Sequence, residues 1–174
     1  MFVEAGYKED EVADKIRTAY EQLYHTGSVE RQRIYYELRD ENTSYVTDVK
    51  NHDVRTEGMG YAMMVMVQMN NQTGFDMLWR YVKLHMLHED PSDPLYGWSA
   101  WHTHPNGTRI SNGPAPDGET WFITTLYFAH VRWGQLRYKK DADMILHAVN
   151  HEKDVGNNMF AHEVNKCARM GGRC

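Results

Sequence analysis

Residues 56–69 read Thr56-Glu57-Gly58-Met59-Gly60-Tyr61-Ala62-Met63-Met64-Val65-Met66-Val67-Gln68-Met69. From Met59 onward the run is apolar on almost every side of a helix, and such a helix is stable in water only when neighbours cover it all round. Sixty residues later Asp117-Gly118-Glu119 opens a second, mostly apolar run that extends to about Trp133. The two openings match: an acid, then a glycine, then an aromatic ring four residues after the acid, Tyr61 in one case and Trp121 in the other. Each buried run is followed by an amphipathic one. Phe75, Leu78, Trp79, Val82 and Met86 outline the first, and Ala142, Ile145, Leu146 and Val149, within Lys139 to about His151, outline the second. An inner and an outer helix repeated in this way form the unit of α/α solenoids and toroids, in which each pair needs neighbours to cover its apolar faces.

Working outward, residues 9–25 carry Val12, Ile16, Ala19, Tyr20 and Leu23 three and four apart, with acids in the first turn, and predict a surface helix. Arg33 to Leu38 and Ser44 to Val49 are short aromatic and β-branched runs around a polar turn, and predict a small β-hairpin before the inner helices. His88 to Pro116 is a long loop rich in Pro, Gly, Asn, Trp and His; loops of that length inside a compact domain usually carry function. The expected fold is all-α, one domain over residues 1–174, shaped as part of a ring. The stretch from Gly156 to Cys174 is polar and without periodicity, and reads as a poorly ordered tail.

Bulk properties exclude several classes. With 24 acids against 19 Lys plus Arg, the chain carries a net charge of −5 and has no basic stripe interleaved with aromatics, so nucleic acid is not an expected partner. No run approaches the ~20 apolar residues that a bilayer demands, and the first residues do not resemble a signal peptide, so the expectation is a cytoplasmic protein with no membrane partner. The two cysteines, Cys167 and Cys174, lie together near the end and read as free thiols.

The chemistry rests on the two acids. If the inner helices run parallel, Glu57 and Asp117 occupy equivalent first-turn positions at one end and face a shared cleft. Paired carboxylates are the minimum equipment for glycoside hydrolysis. An acid in a first turn also complements the helix dipole, and for an isolated residue that structural role is the commoner one. The dipole favours an ionised Glu57, whereas a general acid must hold its proton, so burial and the charge of Asp117 have to act against it. Arg55 either contacts substrate hydroxyls or holds a neighbouring carboxylate. Of the two loop indoles, Trp98 and Trp101, one is expected to pack beneath the loop, with Trp101 the substrate contact. His102 and His104 have strand-like spacing, but no third metal ligand accompanies them.

Asn51-His52-Asp53-Val54-Arg55-Thr56-Glu57-Gly58-Met59-Gly60-Tyr61, then Ala100-Trp101, then Pro114-Ala115-Pro116-Asp117-Gly118-Glu119, then His130-Val131-Arg132-Trp133-Gly134 together resemble glycoside hydrolase family 8, and most closely its reducing-end xylose-releasing exo-oligoxylanases. The resemblance runs from about Arg33 to Phe160. It implies an (α/α)6 barrel, present here as its N-terminal portion, that hydrolyses β-1,4-xylosidic bonds in xylo-oligosaccharides with inversion and without metal or cofactor. It also implies Glu57 as proton donor, Asp117 as the carboxylate that positions the sugar, and Trp101 as a stacking residue. The family's members are about twice as long, and their catalytic base lies beyond the matching stretch, so no residue here is assigned as base. An inactive fragment that binds oligosaccharide or assembles is one alternative; a family 8 β-glucanase or chitosanase is another. An open half-ring would expose apolar flanks, which predicts a homo-oligomer.

Overall fold

The computed structural model describes residues 2–28 and 32–150. Its contacts divide the chain into two compact units, Met1–Tyr36 and Glu37–Cys174. In the first, α1 (Glu9–Glu21) carries three acids in its first turn and runs into a π-helical turn, Gln22–Thr26. No residue of α1 is buried, as a surface helix requires. Tyr24, beyond its end, is buried and stacks on Tyr20 at 4.9 Å between ring centroids.

The second unit opens with the end of β1 (Tyr35–Leu38), which forms a two-stranded sheet with β2 (Thr43–Val46) around a turn where Asn42 adopts a positive φ of 52°. This is the expected hairpin. β3 (Val54–Arg55) leads directly into α2 (Thr56–Gln68), the helix read from the opening stretch. Met59, Ala62, Met63, Met66 and Val67 of α2 are buried, each large side chain contributing roughly 1.5–3 kcal/mol by leaving water. Asn70, at φ 57°, turns the chain, and Asn71 caps α3 (Gln72–Tyr81) by accepting the Gly74 N–H at 2.9 Å. A π-helical turn, Val82–Met86, prolongs α3. α4 (Pro116–Trp133) starts with proline in its first turn and ends on Gly134 at φ 67°, after which α5 (Leu136–Asn150) folds back.

The two inner helices run parallel, and the contacts prove it step by step. Thr56 of α2 meets Gly118 of α4, Gly60 meets Trp121, and Asn70 Oδ1 accepts both Arg132 Nε at 3.1 Å and Trp133 Nε1 at 3.0 Å. The outer helices keep the same offset: Tyr138 Oη bonds Asp76 at 2.7 Å and Trp79 Nε1 bonds Asp141 at 2.7 Å, both pairs 62 residues apart in sequence. One hairpin is thus laid beside the other with a constant shift. That arrangement needs close packing, and Gly60 supplies it, since a Cβ there would stand 2.5 Å from Trp121 Cβ.

The segment from His88 to Pro116 departs from the loop reading. It contains β4 (His102–Thr103) and β5 (Arg109–Ser111), which join β3 in a three-stranded antiparallel sheet of order β3-β4-β5. Strands of two and three residues leave no periodic trace in sequence, so only their pairing reveals them. The fold is therefore mostly helical with two small sheets. The predicted tail over Gly156 to Cys174, and both cysteines, lie outside the described residues.

Candidate active site

The first turns of α2 and α4 lie side by side because the helices are parallel. Val54 and Arg55 of β3 pair with Thr103 and His102 of β4, and the Thr56 N–H donates to Trp101 O at 3.1 Å. The loop carrying Trp101 is in this way fastened to the start of α2. Next to it opens a cleft of about 380 Å³ lined by Val46, Thr47, Asp48, Arg55, Glu57, Tyr61 and Asp117.

Glu57 is half-buried, and its carboxyl titrates above the usual glutamate range. Desolvation is the largest cause, and the negative charge of Asp117 adds to it. Acting the other way are its own backbone N–H, the Thr56 hydroxyl at 3.4 Å and the charge of Arg55. Burial therefore outweighs the local hydrogen bonds and the charge of Arg55, and the balance shifts the carboxyl toward its protonated form. Asp117 is exposed, with Oδ1 accepting the Gly118 N–H at 3.0 Å.

Arg55 is engaged by protein groups. Its Nε donates to Asp53 Oδ1 at 3.1 Å and its Nη2 to Asp53 Oδ2 at 3.3 Å, with Asp48 Oδ2 at 3.9 Å. Arg55 thus holds a neighbouring carboxylate while it lines the cleft. The guanidinium also lies 5.8 Å from the Trp101 ring. Trp98 is wholly buried in a cluster with Leu95 and Val149, while Trp101 stays half-exposed and stacks on His102 at 4.5 Å. His102 and His104 do not converge: His102 Nε2 sits 2.7 Å from Asp53 Oδ2, whereas His104 is exposed and bonds Thr108 through its backbone. Among the described residues no group of three or more His, Cys, Asp or Glu is arranged to hold a metal ion.

Sequence reasoning passed over Asp48, Asp53 and Glu119. Asp53 precedes β3 and bonds Arg55 at i, i+2, a spacing too short to stand out in sequence. Glu119 is fully buried and accepts the Ser99 N–H at 2.9 Å, which ties the Trp-bearing segment to α4. Its position as the residue after Asp117-Gly118 marked the helix start and nothing more.

The sequence model of glycosyl hydrolases family 8 matches residues 42–165, a stretch that includes both acids and the Trp101 segment. The chain belongs to glycosyl hydrolases family 8. The reducing-end xylose-releasing exo-oligoxylanase Rex8A of Paenibacillus barcinonensis is 41% identical over 160 residues, which cover 90% of this chain and 41% of that enzyme. A reducing end xylose-releasing exo-oligoxylanase of Halalkalibacterium halodurans is 38% identical over 161 residues, covering 90% of this chain and 40% of its own length. The structure of Rex8A complexed with xylose superposes with a TM-score of 0.81 at 41% identity over 90% of this family 8 chain. Family 8 structures are (α/α)6 barrels, and the two parallel hairpins here are part of such a ring. The chain spans about two fifths of the length of the curated relatives it matches. No helix among the described residues is long and apolar enough to cross a membrane.

Proposed function

We propose that this chain supplies the proton-donating side of a site that hydrolyses β-1,4-xylosidic bonds in xylo-oligosaccharides with inversion of configuration. Glu57 protonates the leaving oxygen, Asp117 positions the sugar at the cleavage point, and Trp101 stacks on a neighbouring ring. The observation that carries this reading is the half-buried Glu57 carboxyl, held above its usual titration range, in a cleft it shares with Asp117. A general acid has to hold its proton toward neutral pH, and desolvation and the charge of Asp117 shift Glu57 in that direction. Inversion also requires a base roughly 6.5–9.5 Å from the acid, with a water between them. No residue of this chain is assigned that role.

Incubation with xylotriose tests the proposal: released xylose that disappears in Glu57→Gln supports it, and binding without release overturns it for this chain. A second reading, an inactive module that binds oligosaccharide, draws on the short span relative to the exo-oligoxylanases. Endoglucanase 2 of Ruminiclostridium josui, 33% identical over 87 residues, favours a β-glucan substrate as the alternative within the family. Parallel assays on xylo-, cello- and chito-oligosaccharides separate these. The exposed Phe128 and Val131 on α4 fit a homo-oligomer that covers the ring's open flank, and a monomeric mass by light scattering would exclude it.

A further inference from the structure

Asp53 is a buried carboxylate bound to the cleft-lining Arg55, and the proposed reaction gives it no task. It immediately precedes β3 and bonds Arg55 two residues on, and the β3–β4 register sets His102 opposite Arg55. Only 6% of Asp53 is exposed. Both its oxygens are used: Oδ1 by Arg55 Nε at 3.1 Å, and Oδ2 by Arg55 Nη2 at 3.3 Å and by His102 Nε2 at 2.7 Å. A buried carboxylate is costly unless its lone pairs are satisfied, and here the partners are the two residues that flank Trp101.

We propose that Asp53 is a positioning residue for this site: it clamps Arg55 and His102 together, which seats Trp101 against them and offsets part of the arginine's charge beside the Glu57 carboxyl. Asp53 acts through Arg55 and touches no substrate. The inference rests on Glu57 being the proton donor. The groups that bear on Glu57 are Arg55 at the end of β3, the Thr56 hydroxyl, and Asp117 from α4. Asp48 and Tyr61 line the same cleft, and Asp48 faces Arg55. Arg55 is the cation in this set. With Asp53 ionised its charge is partly offset, and burial together with Asp117 prevails at Glu57. With Asp53 neutral the uncompensated guanidinium favours the glutamate anion, and the donor loses its proton at lower pH.

The test reads Glu57 directly, in the whole 174-residue chain, by carbon NMR of labelled glutamate carboxyls with the Glu57 signal assigned from a Glu57→Gln spectrum. Asp53→Asn is expected to lower the Glu57 midpoint by about half to one pH unit. Arg55→Gln is expected to raise it, and the double variant to return within a few tenths of a unit of the wild type. An unmoved midpoint in folded Asp53→Asn overturns the proposal. So does a double variant as low as Asp53→Asn, since repacking alone would then account for the change. Should Asp53→Asn fail to fold, Arg55→Gln decides, and an unmoved or lowered midpoint overturns the idea. The titration needs no turnover, so xylose release that survives Glu57→Gln with these shifts intact sinks the proton-donor reading and leaves the electrostatic relation standing.

Discussion

Gly118 of α4 lies against Thr56 of α2 so closely that a Cβ on the glycine would overlap the threonine Oγ1 and Cβ. This contact brings the first turns of the two inner helices together, and with them Glu57 and Asp117. Alanine gains about 1 kcal/mol over glycine inside a helix, whereas overpacking costs about 1–3 kcal/mol, so the overlap wins. Gly118→Ala should lose up to about 2 kcal/mol, read as a lower urea midpoint. Gly58 is the control: a Cβ there meets only Val46 Cγ2 at 3.6 Å, and Gly58→Ala should leave stability unchanged or raise it by up to about 1 kcal/mol.

Glu57→Gln separates stability from chemistry. The folded pKa of Glu57 lies above its unfolded value, so the folded state resists ionisation and is penalised wherever the unfolded chain has already lost that proton. The penalty is absent below about pH 4 and grows as pH rises through the native titration. Glutamine removes it. Thermal melts should show the variant equal to wild type near pH 4 and a few degrees higher at pH 7, and a variant that melts lower at pH 7 would contradict the raised pKa.

The two loop tryptophans should respond in opposite ways. Trp98→Ala opens a cavity under the loop and should cost about 3–5 kcal/mol in chemical denaturation. Trp101→Ala, at a half-exposed ring, should cost about 1 kcal/mol or less and instead weaken xylo-oligosaccharide binding measured by calorimetry. Equal losses of stability would mean that Trp101 is a packing residue.

Between the outer helices, the Trp79 Nε1 to Asp141 bond of 2.7 Å has a charged acceptor. Trp79→Phe keeps an aromatic ring near Phe122 but deletes the donor, and should cost about 1.5–3 kcal/mol at neutral pH. Lys83, 3.7 Å from Asp141, limits the loss by holding the freed carboxylate. Lys83→Met added to Trp79→Phe should therefore cost more than the two single losses summed.

The inner and outer helices were legible because their signals are local. α2 is apolar all round, and the four-residue spacing from Glu57 to Tyr61 recurs from Asp117 to Trp121. The assignment of Trp98 rather than Trp101 to the interior followed from the expectation that one ring must pack under the loop. The strands β4 and β5 escaped, since they are too short to show alternation. Asp53 escaped for a related reason: its partner His102 lies 49 residues away, and no spacing rule connects them.

Sequence by itself determined the repeated hairpins, the pair of first-turn acids and the family, all set by side-chain order along the chain. Tertiary structure decided the parallel sense of α2 and α4, the capture of Arg55 by Asp53, and the direction of the Glu57 shift. That last outcome could not be read from order alone. The dipole of α2 is a local property that favours the anion, whereas desolvation and the charge of Asp117 arise only when a helix sixty residues on is packed alongside, and they prevail because they act in a site that water only partly reaches.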